Sequence, residues 1–416
     1  MSTTEETMNI KREVKAGLNE RPPLWMRIAQ KWAGRIAFGT LTVEFPDGHS
    51  FYVKGSRPGP DATMIIRSPK FVWQVLSGGK LGLARAFIDN NWDSPDIGAV
   101  LDLGIFNEDY LNSVLALPAL ARLMANLRHR LRANTPTGSK RNIAFHYDLG
   151  NQFYAQWLDE TMTYSSGLFQ TAGQSLSDAQ NAKYDRIVRQ LNIQKNDRVL
   201  EIGCGWGGFA EYAARKTGCS IVALTLSQEQ AHFARERMMK AGLSDRVEIR
   251  IEDYRNCEGH FNKIVSVEMF EAVGEENWSV YFARLQALLE SDGEALLQVI
   301  TIDDNRLDEY RRNADFIQTY IFPGGMLPSC NALIDVARRH NLKLTDQLMF
   351  GRDYEKTLLQ WDDQFIKQWC TIEPLGFDAR FKRMWRYYFH YCAAGFRAQR
   401  IDVGQFHFRQ LCVNQD

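Results

Sequence analysis

The sequence has little that would tie it together covalently or anchor it in a membrane. Its seven cysteines are scattered and include no Cys-x-x-Cys pair, which argues against a disulfide framework or a zinc site and fits a reducing cytosol. No run of about 18 uncharged apolar residues occurs, so we expect no membrane-spanning helix. The first residues are polar and acidic, and we expect no secretion signal there.

The sequence also lacks an excess of charge of either sign. Lys and Arg together number 50, as do Asp and Glu, so the formal net charge is zero. No overall field draws such a chain to nucleic acid, and we expect no nucleic-acid partner. A length of 416 residues, with 45% apolar and 24% charged residues, is typical of a folded protein with two domains.

A glycine-rich turn follows a predicted strand near the middle of the chain. Residues 199–208 read Val-Leu-Glu-Ile-Gly-Cys-Gly-Trp-Gly-Gly and lead into a predicted helix over 209–216. Glycines let the backbone adopt conformations closed to other residues and let a ligand approach closely. On its own, the pattern Gly203-x-Gly205-x-x-Gly208 fits a dinucleotide site as well as a methyltransferase site.

The absence of one acidic residue distinguishes a methyltransferase site from a dinucleotide site. A dinucleotide fold places a carboxylate about 20 residues past the glycines, at the end of the second strand. Here the second strand, predicted at 220–226, ends in Thr225-Leu226-Ser227 without a carboxylate. Glu201 instead lies just before the turn, where it can meet a cationic amino group. The pattern resembles that of methyltransferases that use S-adenosylmethionine (SAM), and it favours a SAM site.

Strand and helix patterns alternate from residue 141 onward, which predicts a parallel sheet with helices on both faces. Strands are predicted at 198–202, 220–226, 247–251, 263–267 and 295–300, and helices at 228–241 and 278–289. Two later strand-like runs, at 343–350 and 405–413, would complete a seven-stranded sheet. Two aromatic-rich helices are predicted at 356–369 and 377–397.

The N-terminal part has a different pattern, with short alternating segments at 41–45 and 63–67 and predicted turns at 46–48 and 77–79. We predict a smaller α+β domain over residues 1–135 and a catalytic domain over 136–416. The stretch from Arg122 to Arg141, with both ends included, contains six Arg or Lys residues and no Asp or Glu. This stretch suits either an amphipathic surface on anionic lipid headgroups or a linker helix with a solvated basic face.

Further motifs follow in a fixed order. They lie at 146–151, 162–166, 265–274, 320–325, 351–354, 381–384 and 395–398. From about residue 65 to the C-terminus the series resembles the cyclopropane fatty acyl phospholipid synthases and the related mycolic acid and fatty acid methyltransferases. The resemblance implies a Rossmann-like, seven-stranded SAM-dependent domain. It also implies methylation of the double bond of an unsaturated acyl chain in a phospholipid, giving a cyclopropane through a carbocation.

The resemblance also implies which residues form the site. Besides Glu201, the cofactor would contact Tyr164, Ser165, Gly203, Gly205, Trp206, Gly207, Thr225, Leu226, Gln230 and Asp253. Cyclopropane-forming members hold a bicarbonate as the final base, and Glu271, Tyr354 and the backbone of Ile300 match its ligands. Ser166 and Gln298 stand where those members have a cysteine and a histidine, although both can still donate hydrogen bonds. Aromatic faces such as Tyr147, Phe270 or Tyr354 would stabilise the cation.

Besides a nucleic-acid methyltransferase, for which the expected basic domain and a base-flipping motif are missing from the sequence, two alternatives remain open at this point. If the bicarbonate is lost or moved, the cation would instead give a methylene or methyl-branched acyl chain. The same fold could also belong to a lipid-binding protein without chemistry. On the main interpretation the enzyme works in the cytoplasm at an anionic membrane surface, and a homodimer is one expected assembly because some family members dimerise.

Overall fold

The computed structural model describes residues 10–11, 22–115 and 149–410 of the chain. The chain divides into two compact units, residues 1–126 with 376–398 and residues 127–375 with 399–416. The predicted domain boundary near residue 135 and the basic stretch from Arg122 to Arg141 lie outside the described residues. In the described part, no helix is long and apolar enough to cross a membrane.

The first unit contains a five-stranded sheet with helices, in agreement with the predicted α+β domain. Its strands are β1 (Ile10–Lys11), β2 (Phe38–Glu44), β3 (Ser50–Lys54), β4 (Arg57–Ile66) and β5 (Trp92–Asp93), in the spatial order β1-β3-β2-β4-β5. Its helices are Leu24–Ala33, Lys70–Ile88, Ile97–Phe106, Glu108–Leu115 and Ala379–Arg397. Every second residue of β2 and β3 is buried, as expected for strands that cover a core with one face.

The predicted turn at 77–79 is a kink inside the helix Lys70–Ile88. Gly79 has a φ of 54°, so the backbone leaves helical geometry there and resumes it afterwards. Glycine allows this conformation without a steric penalty. The glycines were therefore a correct signal for a break, but the segments on both sides are helical.

The helix Ala379–Arg397 packs in the first unit, although the sequence analysis placed it in the catalytic domain. The Arg383 guanidinium donates hydrogen bonds to the carbonyl oxygens of Phe87 and of Trp92. Arg397 forms an ion pair with Asp102. These contacts join residues almost 300 positions apart, so no local sequence pattern could have predicted them.

The second unit contains the predicted seven-stranded sheet, and this confirms the fold. Its strands are β6 (Arg198–Ile202), β7 (Ser220–Thr225), β8 (Val247–Ile251), β9 (Phe261–Val267), β10 (Leu289–Ile302), β11 (Leu342–Met349) and β12 (Ile401–Gln410). They lie in the order β11-β12-β10-β9-β6-β7-β8, with β12 antiparallel to both its neighbours and the other pairs parallel. The α-helices are Asn151–Tyr154, Leu176–Gln190, Gly208–Thr217, Gln228–Lys240, Trp278–Leu288, Leu307–Arg312, Cys330–Arg339, Gly351–Lys367 and Trp369–Ile372.

Apolar residues bury both faces of this sheet. Along β6, Val199 belongs to one buried cluster, whereas Leu200 and Ile202 belong to another. Successive residues of a strand point to opposite faces, so each face has its own core. Burial on both faces is the usual state of a parallel sheet covered by helices.

The order of the strands reverses between β6 and β9. From β6 the chain builds outward through β7 and β8, while β9 and β10 lie on the other side of β6. In open parallel sheets such a reversal leaves a crevice at the carboxyl ends of the strands, where ligands bind. Here β6 ends just before the glycine turn and β9 ends just before Glu268.

Candidate active site

A cavity of about 170 Å³ lies at this reversal point. Among the residues that line it are ten of those predicted to contact the cofactor: Tyr164, Ser165, Glu201, Gly203, Gly205, Trp206, Thr225, Leu226, Gln230 and Asp253. Gly207 instead precedes the helix Gly208–Thr217, and a β-carbon there would lie 3.2 Å from side-chain atoms of Ala234 and Met238. The topology thus gathers residues from the glycine turn, from β7 and from the segment before β6 around one space.

The glycine turn gives the cavity a wall of bare backbone. Gly203 and Gly205 have φ values of 85° and 52°, in the left-handed region that disfavours side chains. A β-carbon at Gly203 would lie 2.7 Å from Met269, whereas one at Gly205 would meet no atom within 4 Å. A side chain at Gly205 would therefore extend into open space beside the cavity.

Glu201 is a buried carboxyl group that borders the cavity. Only 3% of it is exposed, and its Oε2 has no hydrogen-bond partner among the described residues. Burial raises the pKa of Glu201 to about 8, although the charge of Arg237 acts against this. A cation in the cavity would stabilise the ionised form. The amino group of SAM is such a cation, so the residues present fit this cofactor.

Two hydrogen-bonded pairs of polar residues also line the cavity. Thr225 Oγ1 donates a hydrogen bond to Gln230 Oε1 at 2.9 Å. Asp253 accepts two hydrogen bonds from Arg255, at 2.8 and 2.7 Å. Arg255 and Glu252 also line the cavity and were not predicted from the sequence. Both lie within two positions of Asp253 in the sequence, and this proximity could have indicated that they line the same cavity.

A second carboxyl group, that of Glu268, lines the cavity at the end of β9, and the part of the cavity around it is its reaction side. Its Oε1 accepts hydrogen bonds from the backbone N–H of Ser166 at 2.9 Å and from Gln298 Nε2 at 2.8 Å. Its Oε2 accepts one from Tyr354 Oη at 2.7 Å. Glu268 itself lines the cavity. Three residues predicted to be catalytic therefore meet around a carboxyl group that the sequence analysis did not select.

The sequence did contain a signal for Glu268. Residues 265–274 include two glutamates three positions apart directly after a buried strand, and the analysis assigned the catalytic role to the second. The Ser166 hydroxyl, in turn, donates to the carbonyl oxygen of Gly167 at 2.9 Å. Ser166 thus reaches Glu268 through its backbone and not through its side chain.

Glu271 and Ile300 form a separate pair. The Ile300 N–H donates a hydrogen bond to Glu271 Oε1, while Oε2 of Glu271 has no hydrogen-bond partner among the described residues. Burial, together with the nearby charge of Glu268, raises the pKa of Glu271 to about 8. The neutral form of Glu271 is therefore favoured. Burial also raises the pKa of Glu268, although there the charge of Lys183 and the hydrogen bonds from Tyr354, Ser166 and Gln298 act against this.

Lys183 is a completely buried residue whose charge interacts with that of Glu268. Its Nζ donates hydrogen bonds to Ser165 Oγ and to Gln180 Oε1, both at 2.6 Å. Burial lowers the pKa of Lys183 to about 7, while the charges of Glu268 and Asp159 act against this. Lys183 was not among the residues predicted from the sequence. The available signal was the presence of Gln180 and Lys183 among the apolar residues of one helix face.

Aromatic rings pack behind Tyr164, which lines the cavity. The ring of Tyr164 lies 5.2 Å from that of Trp361, which in turn lies 6.1 Å from that of Tyr354. Phe270, suggested as a partner for the cation, is 1% exposed and packs in the core against Trp278. Phe270 is therefore structural, and Tyr147 lies outside the described residues.

The fold and the site together define a methyltransferase that uses SAM. The glycine turn after β6, the carboxyl group at its base and the seven-stranded sheet are the features of that class. Comparison with known proteins narrows the class. Residues 134–406 match the family model described as mycolic acid cyclopropane synthetase, and the chain belongs to this family.

Two relatives cover most of the chain. The tuberculostearic acid methyltransferase UfaA1 of Mycobacterium tuberculosis is 38% identical over 367 residues, 84% of this chain and 83% of that protein. The cyclopropane-fatty-acyl-phospholipid synthase of Escherichia coli K12 is 36% identical over 94% of each chain. The structure of mycolic acid cyclopropane synthase CmaA1 with SAH and CTAB matches with a TM-score of 0.61 at 29% identity. The match covers 65% of this chain and 98% of the CmaA1 chain.

Proposed function

We propose that this enzyme methylates the double bond of an unsaturated acyl chain in a phospholipid and that the product is a cyclopropane. The observation that carries the proposal is the arrangement of two carboxyl groups on one cavity. Glu201 lies at the glycine turn, where it suits a cationic cofactor, and Glu268 lines the same cavity among hydrogen-bond donors. The family membership and the similarity to a cyclopropane-fatty-acyl-phospholipid synthase support the same substrate class.

Each part of the site has a task in this reaction. SAM, when bound, supplies an electron-poor methyl group. Glu201 and the backbone of Gly203 and Gly205 would hold the cofactor through its cationic end. Tyr164 lines the cavity and packs against Trp361, and we expect these rings to keep water away from the reaction side, which would protect a carbocation from being trapped as an alcohol. Their faces also stabilise positive charge.

A methylene or methyl-branched product is the second candidate. One observation favours it: Ser166 and Gln298 donate hydrogen bonds to the protein's own Glu268, in the places expected for bicarbonate ligands. The similarity to a tuberculostearic acid methyltransferase supports the same alternative. Both candidates share the methyl transfer and differ in how the cation loses its charge.

The first unit is proposed to dock on the phospholipid surface. Trp73 and Leu76 lie on the same face of the helix Lys70–Ile88 and are 61% and 43% exposed. Exposed aromatic and aliphatic side chains of this kind insert at the boundary between lipid headgroups and acyl chains. Replacing Trp73 with serine should weaken sedimentation of the protein with anionic vesicles, whereas replacing the exposed Met239 of the second unit should not. Equal binding by both variants would refute docking through this face.

The reaction is tested with purified enzyme, SAM and vesicles of a monounsaturated phospholipid. Mass spectrometry of the lipids should show an added CH₂ group, and chromatography against standards should distinguish a ring from a methylene branch. A cyclopropane confirms the main proposal, and a methylene or methyl-branched chain supports the second candidate. Unchanged lipids, with cofactor binding intact, would refute both.

A further inference from the structure

Glu268 adopts an unusual backbone conformation at the end of β9. Its φ is 49°, in the left-handed region that favours glycine, and its N–H donates to the carbonyl oxygen of Gln298 at 2.8 Å. A side chain in this region is strained, and such residues cluster at sites where the strain serves a function. The conformation places a carboxyl group on the cavity that Glu201 and Gly205 also line.

The donors around Glu268 have a fixed orientation. Arg186 Nη1 donates to Gln405 Oε1 at 2.8 Å, and arginine is always a donor. The amide nitrogen of Gln405 therefore faces Gln298, where it donates to Oε1 at 3.1 Å. Consequently Gln298 must present its own Nε2 to Glu268. This chain of hydrogen bonds keeps Gln298 a donor, and donors stabilise the ionised carboxylate.

The two glutamates of the motif differ in environment. Oε1 of Glu268 accepts two hydrogen bonds and Oε2 accepts one from Tyr354. A carboxylate has about four acceptor positions, so Oε2 can accept a further proton. Burial raises the pKa of Glu268, while the charge of Lys183 and the three hydrogen bonds act against this. Glu271 accepts a hydrogen bond from the Ile300 N–H and has a negative charge nearby, which raises its pKa further. Paired carboxyl groups in such unlike settings commonly divide into a base and a neutral acid.

Given the proposed function, we propose that the Glu268 carboxylate is the base that accepts the proton lost by the transferred methyl group. In the methyl transfer, the π electron pair of the alkene forms a bond to the methyl group, the bond from that methyl group to sulfur breaks with its electrons on sulfur, and a positive charge is left on the other alkene carbon. A C–H bond of the added methyl group then breaks, and its electron pair forms the bond that closes the ring. The proton passes to Oε2 of Glu268, so the positive charge of the chain and the negative charge of the carboxylate disappear together.

A base built into the protein makes a dissolved one unnecessary. Turnover by the wild-type enzyme should therefore stay constant when carbon dioxide and bicarbonate are removed from the buffer. This outcome would distinguish Glu268 as the base from the bicarbonate base that the family resemblance implied. Gln298 still donates from its side chain where those members have a histidine, whereas Ser166 donates from its backbone N–H, which does not depend on the side chain at that position.

The decisive variant is Glu268→Gln, which keeps the size of the side chain and removes the proton acceptor. We expect kcat to fall by about 100-fold or more, the usual effect of losing a general base. The affinity for S-adenosylhomocysteine, measured by calorimetry, should be retained. The exposed Glu290→Gln serves as the matched control and should leave both quantities unchanged.

A second variant separates a chemical role from a structural one. Glu268→Gly relieves the backbone strain and leaves room for a small carboxylate. Formate or bicarbonate should then restore part of the turnover. In the absence of any cofactor, the same anions should raise the melting temperature of Glu268→Gly more than that of the wild type.

The outcomes are distinguishable. If the wild type modifies no lipid, the proposed function and the role of Glu268 fall together. If the wild type is active and Glu268→Gln keeps its kcat within about threefold, Glu268 is not the base although the function stands. Dependence of the wild type on bicarbonate, or Glu268→Gly without rescue by either anion, would also overturn the proposal.

Discussion

The two sides of the cavity are built in different ways. On the cofactor side, the glycines from Gly203 to Gly207 belong to one short turn between β6 and the next helix. On the reaction side, the donors to Glu268 come from Ser166, Gln298 and Tyr354, which lie 102, 30 and 86 positions away. The first side depends on local backbone geometry, and the second depends on the folding of distant segments onto each other.

The electrostatics of the two sides differ as well. Glu201 has a buried oxygen without a hydrogen-bond partner among the described residues, so it is poised for a cation. Glu268 already has its donors and can take up a proton. Within one cavity, Glu201 is thus suited to binding a positively charged cofactor and Glu268 to accepting a proton. Variants on each side should therefore have different signatures.

The largest effect is expected for Gly205→Val. A β-branched residue is strained at a φ of 52°, and its side chain would occupy space beside the cavity. We expect the affinity for S-adenosylhomocysteine to fall by about 100-fold or more, as measured by calorimetry. Gly242→Val is the control, because Gly242 has a φ of 67° and similarly open surroundings. Equal loss of affinity in both variants would show that strain alone is responsible.

The next effect concerns the charge of Glu201. Its pKa is raised to about 8, so the carboxyl group is largely protonated at pH 7 in the free enzyme. A bound cation lowers that pKa, and binding should therefore release protons, which calorimetry in buffers of different ionisation enthalpy detects. Glu201→Gln should abolish this release and weaken binding by about 30-fold. The exposed Glu229→Gln should do neither, and proton release that persists in Glu201→Gln would exclude Glu201 as its source.

Lys183→Met should act through Glu268 and change the pH profile. Below pH 7 the buried ammonium carries its charge and holds the pKa of Glu268 down against the effect of burial. Without it, Glu268 would lose its proton only at higher pH. The acidic limb of kcat should move up by about one pH unit, a tenfold loss on that limb. Lys195→Met is the exposed control, and a uniform loss without a shift would indicate a structural role for Lys183.

The smallest effect is expected for Glu271→Gln. Burial and the charge of Glu268 favour the neutral form of Glu271, and a glutamine oxygen can still accept the hydrogen bond from Ile300. We expect kcat to fall by only about threefold. Comparison with Glu268→Gln under the same conditions is the test. A fall as large as that of Glu268→Gln would assign the catalytic role to both carboxyl groups.

The start of one helix shows why local patterns miss some elements. The sequence predicted a helix from residue 356, whereas the helix begins at Gly351 and ends at Lys367. No side chain of its own caps the first turn, but Asp402 of β12 accepts a hydrogen bond from the Gly351 N–H at 2.7 Å. This start brings Tyr354 into the helix, on the turn from which its hydroxyl reaches Glu268.

The sequence by itself indicated the seven-stranded fold and the glycine turn, and the family resemblance added most of the ten predicted residues that line the cofactor cavity. The fold and the turn follow from hydrophobic periodicity and from backbone conformations that few residues adopt, and both are local properties. Only the tertiary structure decided that Glu268, rather than Glu271, gathers Ser166, Gln298 and Tyr354, and that Lys183 is buried beside them. Hydrogen bonds and charges between segments distant in sequence depend on three-dimensional distance, which local patterns do not specify.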